Sequence, residues 1–201
     1  MRYLALGDSY TIGEGLSAGD RWPALLARRL RGRGVPLQEP EIIATTGWTT
    51  DELAAAIDAA DPQPPFDLVS LLIGVNNQYR GRSVTEFESE FRALLARAVA
   101  FADGRRDRTV VLTIPDWSAT PFARDSDRDL EQMRAEMATY NAVVLAVCED
   151  TDVRCFDITP STREHADAVV DDGLHPDASV HAAWVDLIEA DVAALLERAG
   201  D

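Results

Sequence analysis

Three polar residues are placed so that together they can act on a carbonyl carbon. Ser9 stands in Gly7-Asp8-Ser9-Tyr10, where a short apolar run ends and glycine lets the chain turn sharply. A serine on a tight strand-to-helix turn can present its hydroxyl outward and offer its own backbone N–H to an oxyanion. Asp172 and His175 stand three apart in Asp172-Gly173-Leu174-His175-Pro176. At that spacing the carboxylate can accept a bond from one ring nitrogen and fix the tautomer. The other nitrogen is then free to take a serine proton. The chain has only three histidines, so few residues compete for the role of base. His165 lies in an acidic, alanine-rich stretch and reads as solvated; His181 lies in the first turn of the last helix. Both read as structural. Each feature also has a plainer reading: Ser9 as a turn or cap residue, His175 as a surface residue beside a helix start, Asp8 as a brace for its turn. Asp171, next to Asp172, could replace it by position alone.

Such residues need a scaffold that brings position 9 to position 175. Five short runs rich in Val, Ile and Leu read as strands buried on both faces, at residues 3–6, 42–45, 68–73, 109–114 and 153–156. Helical patterns fill the gaps, at about 21–31, from Thr49 to before Pro62, from Ser83 to near Gly104, at 128–149 and at 179–198. Pro23 is tolerable only in a first turn. Thr49 with Glu52, and Ser83 with Glu86, are capping-box pairs. Val180, Ala183, Trp184, Leu187, Ile188, Leu195 and Leu196 repeat with helical period. Strands alternating with helices imply a parallel sheet with right-handed crossovers. The expected fold is α/β, a three-layer α/β/α flavodoxin-like sandwich with a five-stranded parallel sheet in the order 2-1-3-4-5, as one domain over residues 1–201. Pro62-Gln63-Pro64-Pro65 reads as a stiff connector, and the longest irregular stretches are 115–127 and 157–178.

Ligands of an open parallel sheet bind beyond the carboxyl ends of its strands. Thr46-Gly47-Trp48 follows the second strand, Gly74-Val75-Asn76-Asn77-Gln78 the third and Pro115-Asp116-Trp117 the fourth. In the expected order strands 2 and 3 flank strand 1, so Gly47 and Asn76 fall on either side of Ser9. The N–H groups of Ser9 and Gly47 and the side-chain amide of Asn76 can then form an oxyanion hole. A simple turn at Gly47 and an Asx-turn at Asn76 fit the same residues. The expected substrate rim is Trp48, Gln78, Tyr79, Arg80, Trp117 and Phe122, suited to an acyl chain, an aromatic ester or a sugar ring. Arg80 or Arg82 could meet an anionic group there. Ordinary loop packing accounts for each rim residue equally. His175 can reach Ser9 across strands 3 and 4 only through a long loop.

The totals remove other classes. A formal net charge of −16 opposes the counterion displacement on which nucleic-acid binding depends. All 19 basic residues are arginine, so Schiff-base chemistry and a P-loop lysine are excluded. Cys148 and Cys155 read as buried, unpaired thiols, and no zinc spacing occurs. No metal or cofactor is expected. No apolar run approaches the roughly 20 residues of a membrane span. The run at residues 3–6 is too short for a signal-peptide core, so a cytoplasmic location is expected for the chain as given.

The blocks together resemble the SGNH, or GDSL, hydrolase family. Gly7-Asp8-Ser9-Tyr10 resembles its nucleophile block, Gly47 its second-block glycine, Gly74-Val75-Asn76-Asn77 its third block, and Asp172-Gly173-Leu174-His175-Pro176 its Asp-x-x-His block. Aspartate often follows the family asparagine, and Asn77 takes that place here. The resemblance implies cofactor-free acyl transfer on a small-molecule ester: Ser9 as nucleophile, His175 as base, Asp172 as its orienter, and Ser9, Gly47 and Asn76 as oxyanion donors. Two other classes remain. Asp8 could accept phosphate in a metal-dependent phosphoryl-transfer domain, which wants further carboxylates and a lysine that this chain lacks. A flavodoxin-like binding module could use Ser9-Tyr10-Thr11 as a phosphate loop, a faint likeness.

Overall fold

A computed structural model describes residues 1–197; the expected end of the last helix at Arg198 lies outside them. Five strands form one parallel sheet: β1 (Tyr3–Gly7), β2 (Glu41–Ala44), β3 (Leu68–Leu72), β4 (Thr109–Leu112) and β5 (Arg154–Phe156). Their order is β2-β1-β3-β4-β5, as the sequence predicts. Gly7, the last residue of β1, pairs with Ala44 on one side and Leu72 on the other. The chain therefore leaves β1 between the ends of β2 and β3.

The central strands β1, β3 and β4 are buried along their whole length, which is why they read as unbroken apolar runs. Each buried leucine among them contributes roughly 1.5–3 kcal/mol. Five longer helices were legible: Trp22–Gly32, Thr50–Ala60, Val84–Phe101, Leu130–Thr151 and Ala178–Glu197. Four short ones were not: Ser9–Ile12, Val75–Tyr79, Pro121–Arg124 and Thr159–Glu164. In chain order they are α1 (Ser9–Ile12), α2 (Trp22–Gly32), α3 (Thr50–Ala60), α4 (Val75–Tyr79), α5 (Val84–Phe101), α6 (Pro121–Arg124), α7 (Leu130–Thr151), α8 (Thr159–Glu164) and α9 (Ala178–Glu197).

Right-handed crossovers decide the layers. The connection from β1 to β2 runs one way along the sheet, and those leading to β3, β4 and β5 run back the other way. So α2 lies on one face and α3, α5 and α7 on the other. α9 packs on α2, and α5 packs on both α3 and α7. Within α9, Val180, Trp184 and Ile188 are buried as expected, but Leu187 is half exposed on the helix's outer edge. Cys148 and Cys155 are both free; Cys148 is buried, whereas Cys155 is partly exposed because β5 is an edge strand. No helix among the described residues is long and apolar enough to cross a membrane.

Candidate active site

The serine comes first because β1 ends under it. Asp8 caps α1, its Oδ1 accepting the N–H of Tyr10, and Ser9 opens that single turn of helix. Gly7 permits this by its size rather than by unusual torsion angles. A Cβ there would fall 2.2 Å from Thr11 Oγ1 and 2.4 Å from the Leu72 carbonyl oxygen. The sequence-level reason, a sharp turn, is thus corrected to a close approach of α1 and β3. The Ser9 hydroxyl makes no hydrogen bond to another described residue and opens on a cavity of about 180 Å³.

His175 arrives by the long loop after β5. α8 and then a hairpin carry the chain back over the sheet, with Val169 and Pro176 paired antiparallel. The Val170 N–H donates to the His175 carbonyl at 2.8 Å. Asp172 sits at the hairpin tip. Its Oδ1 accepts the N–H groups of Leu174 and His175 at 2.8 and 2.9 Å, and its Oδ2 lies 2.5 Å from His175 Nδ1. Partial burial pushes the Asp172 carboxyl up, but the His175 ring and the two N–H groups outweigh it and hold the carboxyl below the usual range. Tyr10 packs against the His175 ring at 5.8 Å between centroids. Ser9 and His175 line the same cavity. No hydrogen bond joins them; such contacts commonly close only when substrate is bound. Asp171 and Asp172 both line a neighbouring cleft with Glu14, but Asp171 makes no bond to His175.

Gly47 and Asn76 also line the cavity, on the two sides that the strand order dictates. Gly47 has φ +90°, a conformation that other residues rarely adopt. Asn76 Nδ2 donates to the Trp48 carbonyl at 2.9 Å, which ties the third block to the second. Asn77 is fully buried and caps α3, its Oδ1 accepting the Thr50 N–H at 3.1 Å. Its amide nitrogen donates to Thr50 Oγ1 at 2.6 Å, a bond that an ionised aspartate could not donate.

The expected rim divides. Tyr79, Trp117 and Phe122 line the cavity, with Trp117 5.6 Å from Tyr79 and 6.2 Å from Phe122 between ring centroids. Trp48, Gln78 and Arg80 do not line it. Trp48 packs against the core. Gln78 is buried behind the wall, where its Oε1 accepts the Trp117 indole N–H at 3.0 Å. Arg80 braces the turn instead, donating to the Gly47 carbonyl at 2.6 Å and to Glu52 at 3.2 Å. Tyr10, Thr46, Val75 and Leu174 complete the lining. Sequence reasoning missed these four, although each adjoins a residue it had named.

The other histidines are placed as structural. His165 closes α8, its Nδ1 2.8 Å from the Ser161 carbonyl, and is half-buried rather than solvated. His181 is buried, and its Nδ1 accepts the Trp22 N–H at 3.0 Å. Asp8 is fully buried, with Oδ2 unpartnered, and does not line the cavity. Among the described residues, no three His, Cys, Asp or Glu side chains gather as a metal site.

Asp8 and His181 set opposing pH dependences. Burial pushes Asp8 up to about 7 from 3.8, against the pull of the Tyr10 and Gly74 N–H groups. Its contribution to stability is therefore full below pH 3.8 and lost as pH rises through about 7. Burial pushes His181 down to about 3 from 6.5, so its contribution is full above pH 6.5 and lost as pH falls toward 3. Over the shared window the slopes have opposite signs, each at most about 1.4 kcal/mol per pH unit. Asp8→Asn removes one of them. Urea unfolding across that window is expected to show the variant losing stability toward acid more steeply than wild type. Parallel curves for the two proteins would refute the assignment.

Comparison with known proteins fits this geometry. No curated protein matches the chain. Among solved structures, the psychrotrophic esterase EstA from Pseudoalteromonas sp. aligns at TM-score 0.74 and 18% identity, covering 98% of each chain. LAE5, an alpha/beta hydrolase enzyme from the metagenome of Lake Arreo, aligns at TM-score 0.71 and 24% identity, covering 96% of this chain and 95% of that one. Axe2, an acetylxylan esterase from Geobacillus stearothermophilus, aligns at 0.73 and 19%, covering 95% and 93%. At these identities the likeness establishes the fold. Sequence alone adds the rest: the profile of the GDSL-like Lipase/Acylhydrolase family matches residues 5–183, a span running from β1 beneath Ser9 to beyond His175. The chain belongs to the GDSL-like lipase/acylhydrolase family.

Proposed function

We propose that the chain hydrolyses small carboxylic esters through Ser9, His175 and Asp172. The observation that carries this reading is His175, held at Nδ1 by Asp172, meeting Ser9 on one small, largely apolar cavity. His175 takes the Ser9 proton as the hydroxyl oxygen attacks the ester carbonyl. The carbonyl oxygen becomes an oxyanion held by the N–H groups of Ser9 and Gly47 and by the Asn76 amide. Collapse of the tetrahedral intermediate breaks the carbon–oxygen bond to the alcohol, which leaves with the proton from His175. Water, deprotonated by His175, then releases the acid and restores Ser9. Asp172 keeps Nδ1 protonated and Nε2 available throughout.

The cavity sizes the substrate. At about 180 Å³ it falls below the roughly 300 Å³ at which pockets for drug-sized ligands begin. A short acyl group or one ring fills it, and a long acyl chain would have to extend past its mouth. Hydrolysis of 4-nitrophenyl esters is therefore expected to be best for short acyl groups, to fall with chain length, and to ignore chelator. A preference for long chains would overturn the size argument, and loss of activity with chelator the serine mechanism. Axe2 is an acetylxylan esterase by name, which makes acetylated sugars the second substrate to try.

A further inference from the structure

The aromatic wall ends in a cation that no described carboxylate neutralises. Arg128 lies in the loop between α6 and α7 and is exposed. Its guanidinium carbon sits 4.3 Å above the Tyr79 ring and 5.6 Å from the Trp117 ring centroid. Both rings line the cavity beside Ser9. A guanidinium stacked in this way keeps its N–H groups available for in-plane, bidentate recognition of an anion. The other cations of this edge are occupied: Arg80 by Glu52 and the Gly47 carbonyl, Arg82 by Asp51. The exposed Asp125 and Asp127 of the same loop form no ion pair with Arg128, and two further carboxylates are occupied. Asp129 caps α7 through the N–H groups of Glu131 and Gln132, and Glu136 accepts from Gln78 and Gln132. No carboxylate among the described residues lies within ion-pair distance of Arg128.

Tyr79 and Phe122 are, moreover, two of the four large apolar side chains that the described surface leaves exposed. An aromatic patch at a cavity mouth is a surface that ligand covers. The chain as a whole repels anions, with net charge −16. A local cation stacked on two rings of the cavity wall therefore selects against that background rather than with it.

We propose that Arg128 forms an anion subsite, and that the preferred ester carries a carboxylate or phosphate beyond the apolar part that fills the cavity. The proposal rests on the esterase reading of the same cavity. Two matched pairs test it. Mono-4-nitrophenyl glutarate and 4-nitrophenyl pentanoate differ by an anion on the acyl side; 4-carboxyphenyl acetate and phenyl acetate differ by one on the alcohol side. In at least one pair, Arg128→Gln is expected to lower kcat/KM for the anionic ester about tenfold and leave the neutral one within about twofold. Arg128→Lys is expected to restore part of the difference, and added salt to shrink it in wild type. If Arg128→Gln leaves both ratios unchanged, or lowers both members of each pair together, Arg128 only packs the wall and the subsite is wrong. Should wild type cleave none of these esters, the esterase reading fails separately. Calorimetric binding of the uncleaved anilides, glutaranilate against pentananilide, still decides the subsite: weaker glutaranilate binding by Arg128→Gln supports it, and equal binding overturns it.

Discussion

Ser9→Ala is expected to abolish ester hydrolysis, by about 10⁴-fold or more in kcat, and to leave the fold unchanged. The size follows from the role: without a nucleophile only binding and the oxyanion donors remain, and in serine hydrolases these supply a small residue of the rate. The specificity of the test follows from the surroundings. The Ser9 hydroxyl makes no hydrogen bond to another described residue, and the α1 cap is supplied by Asp8. Deleting the oxygen therefore leaves no buried partner unsatisfied, and stability is expected to shift by no more than about 1 kcal/mol. Side-by-side urea unfolding and turnover of a short ester read both quantities. Full activity in a normally stable variant would remove Ser9 from the chemistry. A reactive alkylphosphonate, which is attacked by an activated serine hydroxyl, offers a direct check. Mass spectrometry is expected to find the adduct on Ser9 in wild type and on nothing in the variant.

The sheet and the catalytic edge were legible because two independent patterns agree in this chain. Central strands buried on both faces advertise themselves as apolar runs, and once their order is fixed the residues after β1, β2 and β3 must be neighbours. That reasoning placed Ser9, Gly47 and Asn76 around one cavity. It failed where a side chain's direction, rather than its place in the chain, decides. Trp48, Gln78 and Arg80 stand in the correct loops, yet all three turn away from the cavity toward protein partners. Nothing in a residue's type tells which of two adjacent loop residues faces inward. The short helices were missed for a related reason. α1, α4, α6 and α8 are too brief for an apolar period to register, and side-chain caps hold two of them: Asp8 for α1, Thr120 for α6. The Arg128 stack lies furthest from the sequence, since it joins a loop before α7 to rings from α4 and from the turn after β4.

Asp172→Asn is expected to lower kcat by about 10³- to 10⁴-fold while KM changes little. Asp172 accepts three bonds at once: two backbone N–H groups on Oδ1 and the His175 ring on Oδ2. An asparagine keeps its carbonyl toward the two N–H groups, because turning it over would set an NH₂ against two donors. Its NH₂ then faces His175 Nδ1, and that nitrogen must become the acceptor. The ring proton moves to Nε2, which can no longer take the proton of Ser9. The loop is preserved, so a loss of rate without a loss of fold isolates the tautomer. Asp171→Asn is the control, since the bonds to His175 come from Asp172 and Asp171 makes none. It is expected to retain wild-type turnover. If the two variants exchanged phenotypes, the carboxylate that orients His175 would be Asp171. The hairpin closed by Val169 and Pro176 would then have to present its tip one residue out of register, which its bonds from Val170 to His175 and from Asp177 to Ala168 oppose.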